Sequence, residues 1–320
     1  MLHRQVPIID NEHIAFGYFL MSFSSPEIAQ NSSPGQFIHI KCSQNHNPIL
    51  RRPFSIHRVI KNKHIEILYK VVGKGTHWLS ERKKGEKLDC LGSLGNGFRL
   101  PEFRSQKTEN RKILVAGGIG IAPLIFLAEQ LTKTPARFRK AGRDNPLRNS
   151  MEFQGPKSRK SERFLGGNPI TVFIGAKTKN ELLCVNELKK LGVKLHISTE
   201  DGSLGYKGLV TELLKKNLST LYSLPRASEA SFRGLLVPNR VYSGSGLSTS
   251  IYACGPKGML EEVAFLSKKY KIPCQVSFEQ FMGCGIGICN ACVIKTKHGY
   301  KKVCKDGPVF DAEEIDWKKI

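Results

Sequence analysis

Four cysteines, Cys284, Cys289, Cys292 and Cys304, crowd into 21 residues near the C-terminal end of this 320-residue chain. The first three are spaced Cys-x4-Cys-x2-Cys, and eleven residues separate the third from the fourth. Thiolates so arranged are metal ligands, and the spacing is that of loops that hold a [2Fe–2S] cluster. Such a loop wraps two irons and tolerates little side-chain bulk. Gly283, Gly285, Gly287 and Ala291 interleave the ligands and let backbone N–H groups approach the sulfurs, where they tune the potential. Zinc is the alternative for any cysteine cluster, but zinc ribbons and knuckles pair one C-x2–4-C with a second such pair. Here the fourth cysteine stands alone.

Two stretches in the first quarter of the chain carry anion-binding chemistry. In Arg51 to Ile56 (RRPFSI), an arginine can hold a flavin pyrophosphate bidentately and the serine can hydrogen-bond an isoalloxazine ring. Alone, the same residues also read as a proline-bounded turn. Leu68 to Thr76 (LYKVVGKGT) follows, and its two glycines and hydroxyl could cradle phosphates through backbone N–H groups. Further on, Gly118-x-Gly120-x-x-Pro123 follows an apolar run and opens a helical pattern, the setting of a dinucleotide site. Its sixth position is proline rather than Gly or Ala, so a plain strand-to-helix turn is the competing reading. Cys254-Gly255-Pro256 ends another apolar run, and Phe173 to Lys177 a third. Cys254 reads either as a buried strand-end thiol or as a neighbour of a nicotinamide. Glu200 to Ser203 reads equally as a solvated turn or a ribose contact. No acidic residue stands about 20 positions after the glycine turn, so the choice between NAD and NADP stays open.

These residues need elements to hold them. The first hundred residues alternate polar and apolar positions, as in 36–41 and 64–70, between frequent glycines and prolines, which predicts a small antiparallel barrel. From Lys112 the period changes. Strands at 112–116, 170–174, 193–198 and 251–253 alternate with helices at 122–131, 181–191, 209–216 and 257–270, which predicts a parallel sheet covered on both faces. Pro123 would sit in a first helical turn, where its missing N–H costs nothing. The fold class is therefore multidomain, β plus α/β: a barrel over 1–105, a Rossmann-like domain over 106–270, and a small cysteine module over 271–320. Inserts are expected near 133–168 and 218–249.

Bulk composition narrows the function. Nine cysteines, four of them clustered, suit metal ligation in a reducing compartment better than a disulfide framework. No leader pattern opens the chain, and the longest uncharged stretch, 113–128, is broken by glycines and too short to span a bilayer. A cytoplasmic protein without a membrane segment is expected. The net charge of +23 raises nucleic-acid binding, with a zinc module, as a distant alternative. However, ten of the basic residues lie in 133–167, which has the composition of a solvated loop rather than a recognition motif.

In chain order, R-P-F-S at 52–55, G-K-G-T at 73–76, G-G-I-G-I-A-P at 117–123, Y-A-C-G-P at 252–256 and the cysteine module resemble the ferredoxin–NADP reductase superfamily. The segments 88–98, 198–202, 205–208, 278–289 and 303–311 are similar, more narrowly, to electron-transfer subunits of class 1B dihydroorotate dehydrogenases. The resemblance implies FAD contacts at Arg52, Pro53, Phe54, Ser55, Leu68, Tyr69, Lys70, Gly75 and Thr76. It also implies that the four cysteines are the cluster ligands. The barrel would then bind FAD and the parallel-sheet domain NAD, at Gly118, Gly120, Pro123, Cys254, Gly255 and Pro256. The implied partner is a separate FMN-containing catalytic subunit that oxidises dihydroorotate in pyrimidine biosynthesis. Electrons would run from it through [2Fe–2S] and FAD to NAD+, and no general acid or base is expected in this chain. Reductases of the same modules share the cluster loop: the small subunit of an NADH-dependent ferredoxin–NADP oxidoreductase, and the gamma subunit of a sulfhydrogenase.

Overall fold

The computed structural model describes residues 2–44, 47–100, 110–133, 170–223 and 248–320. Most of both expected inserts lies outside those residues. The first seven strands are β1 Leu2–Ala15, β2 Tyr18–Ser24, β3 Phe37–Ile40, β4 Arg52–Ser55, β5 Arg58–Ile60, β6 His64–Lys70 and β7 Lys87–Leu94. They form one antiparallel sheet in the order β4-β3-β7-β1-β2-β6-β5. The connection from β4 to β5 passes from one edge of the sheet to the other. Ile56 donates its N–H to the Gln36 carbonyl beside β3, and His57 donates to Glu66 on β6. The sheet thus curls into the expected barrel around Met21, Phe23, Ile38, Ile40, Ile65 and Ile67.

The second sheet also has seven strands, in the order β11-β10-β9-β8-β12-β13-β16. These are β8 Asn110–Gly117, β9 Ile170–Ala176, β10 Lys194–Thr199, β11 Tyr206–Lys207, β12 Ser248–Cys254, β13 Cys274–Ser277 and β16 Val309–Asp311. All pair in parallel except β16, which runs antiparallel to β13. The sheet therefore continues past residue 270 into the cysteine-bearing tail. Helices α3 Ile121–Lys133 and α4 Val185–Lys190 cover one face, α5 Val210–Ser223 and α6 Lys257–Tyr270 the other. Strand β8 shows why its sequence is apolar throughout: Ile113 and Val115 join one core, Leu114 and Ala116 the other. The tail adds a two-stranded hairpin, β14 Val293–Thr296 with β15 Gly299–Lys302. In the barrel, α1 Pro26–Gln30 and α2 Lys74–Ser80 complete the elements.

Two expected helices differ. In place of a helix over 181–191 there is a 3-10 turn at Lys179–Glu181, a break, and then α4. Cys184 takes a left-handed conformation (φ 60°) at the break, and Leu183 turns into the core. Helix α5 runs on past Lys216 to Ser223 because Leu218 continues the buried stripe of Val210, Leu213 and Leu214.

The units are locked together. Phe126 of α3 reaches the barrel core, while Tyr18 and Leu68 of the barrel join the core beneath α3. Asn96, just after β7, donates from Nδ2 to the carbonyls of Lys305 and Asp306, each at 3.1 Å, and from its backbone to Gly307. Those bonds pin the cysteine-bearing tail against the barrel.

Candidate functional site

The four predicted ligands come together in one loop. Cys284 and Cys289 have their sulfurs 3.3 Å apart, and Cys292 and Cys304 are buried on its inner side. Backbone donors point at sulfur throughout. Gly287 N–H lies 3.1 Å from Cys304 Sγ, Cys289 N–H 3.4 Å from Cys284 Sγ, and Cys304 N–H 3.4 Å from Cys292 Sγ. Burial raises the Cys284 thiol, but the N–H groups of Ile286, Cys289 and Ile288, with the Cys289 side chain, outweigh it and bring the pKa down to about 6. Burial, then the facing Cys292, pushes Cys304 up to about 12. Four converging sulfurs under a canopy of amides fit an iron–sulfur cluster. The glycines are dictated by space. Gly285 (φ +71°) has its missing Cβ position 2.4 Å from Nδ1 of His39, and Gly287 (φ +83°) abuts Lys305.

His39 was not among the expected residues. It is fully buried on β3, directly opposite Pro53 of β4, with neither ring nitrogen hydrogen-bonded. The cluster loop and the Arg52–Ser55 strand therefore meet across one imidazole. Its signal in the sequence was a polar residue between the apolar Ile38 and Ile40.

The two arginines at the start of β4, Arg51 just before it and Arg52 its first residue, separate by role. Arg51 is paired with Asp89 at 2.8 Å, whereas Arg52 bonds only to the Leu50 and Arg51 carbonyls and has no carboxylate partner among the described residues. Phe54 is buried, with Arg52, Pro53 and Ser55 partly open. Gly75 lies against this strand: a Cβ there would come within 3.5 Å of Arg52 Cγ and 3.2 Å of Cys42 Cβ. The two flavin motifs thus adjoin in space. Thr76 differs from the expected phosphate contact, because its hydroxyl accepts from the N–H groups of Val72 and Gly73 and donates to the Gly73 carbonyl. Leu68 and Tyr69 are buried, and Tyr69 donates to Asn11 and packs edge-on against Phe54 at 5.7 Å. Lys70 is exposed, over the ring of Tyr18.

At the carboxyl ends of the parallel strands, Gly118 (φ +53°) to Gly120 form a 3-10 turn leading into α3, and Pro123 is buried in the first turn of that helix. A Cβ on Gly120 would stand 2.2 Å from the Cys254 carbonyl oxygen. Met259 and Pro256 would stand 2.7 and 2.8 Å from a Cβ on Gly117. Gly117 and Gly120 thus pack against Cys254, Gly255 and Pro256 at the carboxyl ends of the neighbouring strands β8 and β12, the end of an open α/β sheet where ligands bind. Burial, then the Glu279 carboxylate, pushes the Cys254 thiol up to about 12. Asp201 accepts from both the N–H and the hydroxyl of Ser203, closing an exposed turn.

A barrel joined to a nucleotide-type parallel sheet is the architecture of ferredoxin–NADP reductase-like proteins. It superposes on the solved NADH-dependent reduced ferredoxin-NADP oxidoreductase with TM-score 0.69 at 27% identity, covering 98% of this chain and 91% of that one. A ferredoxin NADP+ reductase from Neisseria gonorrhoeae shares the fold alone (TM-score 0.53, 16% identity, 83% and 90% covered). Residues 279–316 match the model of the iron-sulfur cluster binding domain of dihydroorotate dehydrogenase B. The chain is 32% identical to the dihydroorotate dehydrogenase B (NAD(+)) electron transfer subunit of Desulforamulus reducens, covering 95% of both. Against that of Geobacillus kaustophilus it is 33% identical, covering 98% of both. The chain belongs to the family of dihydroorotate dehydrogenase B electron transfer subunits.

Proposed function

We propose that this chain passes electrons from an FMN-containing, dihydroorotate-oxidising partner through a [2Fe–2S] cluster and FAD to NAD+. The observation that carries the reading is the junction at His39, which sets the cysteine loop directly behind the strand Arg52–Ser55. When bound, a flavin exchanges two electrons with a nicotinamide and single electrons with a cluster. The protein supplies placement. Cys284, Cys289, Cys292 and Cys304 hold the irons, and amides from 287 to 304 lower the charge on their sulfurs. Arg52 meets the flavin pyrophosphate, Pro53 to Ser55 and the backbone of Leu68 to Lys70 flank the ring system, and Gly75 and Thr76 shape the phosphate turn. Gly118, Gly120 and Pro123 receive the nicotinamide nucleotide with Cys254, Gly255 and Pro256.

The functional units are 1–105, 106–270 and 271–320, the last sharing a sheet with the second through β13 and β16. Of the inserts near 133–168 and 218–249, Lys133 closes α3, 218–223 finish α5 and 248–249 open β12, and the rest lie outside the described residues. All nine cysteines are free thiols, which supports a cytoplasmic location. Among the described residues no helix is long and apolar enough to cross a membrane. Isolation with the native partner tests the reading. An FMN subunit reducing NAD+ from dihydroorotate supports it, and a partner carrying [4Fe–4S] clusters overturns it in favour of the ferredoxin–NADP oxidoreductase reading. In the complex, Cys304→Ser should cut dihydroorotate-to-NAD+ transfer by about 100-fold or more, leaving NADH oxidation by artificial two-electron acceptors within a few-fold.

A further inference from the structure

Away from the cluster, where the barrel closes on the second sheet, three further donors converge. His57 lies on the segment that crosses from β4 to β5, and Cys184 and Glu187 lie at the start of α4. Their ligand atoms all fall within 4.8 Å of one another. His57 is fully buried, and its Nδ1 stands 2.9 Å from the Ala122 carbonyl. A carbonyl only accepts, so Nδ1 donates there and Nε2 is the ring nitrogen left facing Cys184 and Glu187. That nitrogen has no hydrogen-bond partner, although it is buried and points at Glu187 Oε2, 3.7 Å away. The distance is too long for a hydrogen bond. It is a few tenths of an ångström beyond the roughly 3.3 Å that separates nitrogen and oxygen donors sharing one tetrahedral zinc at about 2.0 Å, a gap a bound ion would close. A backbone carbonyl fixing the far nitrogen is the usual support for a metal-bound histidine.

Carboxylates outnumber arginines around the same corner. Arg58 serves three carboxylates at once: Glu129 at 2.6 Å, Glu66 at 3.2 Å and Glu187 at 3.5 Å. Lys133 stands 3.9 Å from Glu129. We propose that His57, Cys184 and Glu187 bind one thiophilic divalent cation of the zinc class, clamping α4 to the barrel closure. Thiolate with imidazole selects such an ion over magnesium or calcium. Arg58 stays 3.5 Å from Glu187 Oε2, the oxygen that faces His57, and a water completes the four-coordinate shell. The site is separate from the cluster cysteines and from every residue assigned to FAD or NAD.

The test uses the cluster- and flavin-loaded chain in its complex, titrated anaerobically with Zn2+ against a chromophoric chelator while iron is counted. The expected result is one zinc per chain, bound at least about 100-fold more weakly in Cys184→Ala and Glu187→Gln, with iron constant at about two per chain. His57→Gln repeats the measurement should Cys184→Ala fail to fold. A zinc-dependent rise in melting temperature should appear in the unsubstituted protein alone. No zinc held against the chelator, zinc held equally by the variants, or zinc gained only as iron is lost would each overturn the assignment.

Discussion

Cys284 and Cys304 face each other across one loop with opposite chemistry. Converging amides bring the Cys284 thiol down to about 6, while burial and Cys292 push Cys304 up to about 12. Burial likewise holds Cys42, Cys254 and Cys274 at about 12. In cluster-free protein at pH 7, only Cys284 of these five sits above its pKa and is mostly thiolate. Iodoacetamide should therefore modify Cys284 first and leave the other four until the chain unfolds; labelling of Cys42 or Cys274 at a comparable rate, read by mass spectrometry, would contradict the arrangement. The ligand cysteines were legible in the sequence because their spacing is local. The division of labour between Arg51 and Arg52 was not, since it depends on Asp89 of β7, which claims Arg51 alone. Nor could Thr76 be seen turning its hydroxyl back into its own loop.

Among the elements, the strand-to-helix turn after β8 is the least forgiving. Gly120 has ordinary backbone angles, and it is space that requires glycine: the Cys254 carbonyl would lie 2.2 Å from an added Cβ. Gly120→Ala should lower stability by about 3 kcal/mol and raise the KM for NADH at least tenfold, with flavin content unchanged; a variant with wild-type KM would place the nucleotide elsewhere. The alternation of strand and helix was readable from periodicity, and α6 falls where the period put it, Lys257–Tyr270. The interruption at Leu182 to Cys184 was not readable, because the leucines there fit a helical stripe as well as they fit a turn into the core. The end of α5 was masked by polar composition that begins while Leu218 is still buried.

For the whole molecule, the question is which face meets the partner. Phe281 and Ile288 flank the first cysteine and are 91% and 76% exposed, an apolar pair on the very loop that holds the irons. Exposed apolar residues beside a functional loop mark an interface. Phe281→Asp should weaken association with the catalytic subunit about tenfold or more while the visible spectrum of the isolated chain stays unchanged; unaltered association by analytical ultracentrifugation would move the interface. Three modules could be counted from the sequence, but not their docking. Asn96 holding Lys305 and Asp306, and His39 under Gly285, join residues more than two hundred positions apart, beyond the reach of any local pattern.

The antiparallel edge strand β16 bears on the order of assembly. It lies beside β13, yet 31 residues separate Ser277 from Val309, and every cluster ligand falls within that span. Pairing of β13 with β16 closes the loop before any iron arrives, so the entropy of bringing its ends together is already met by the sheet. A chain starved of iron should therefore keep its second sheet and present an open ring of thiols to whatever delivers the metal. Amide exchange on cluster-free protein would show it, with β12, β13 and β16 protected and the cysteine loop 284–291 exchanging faster.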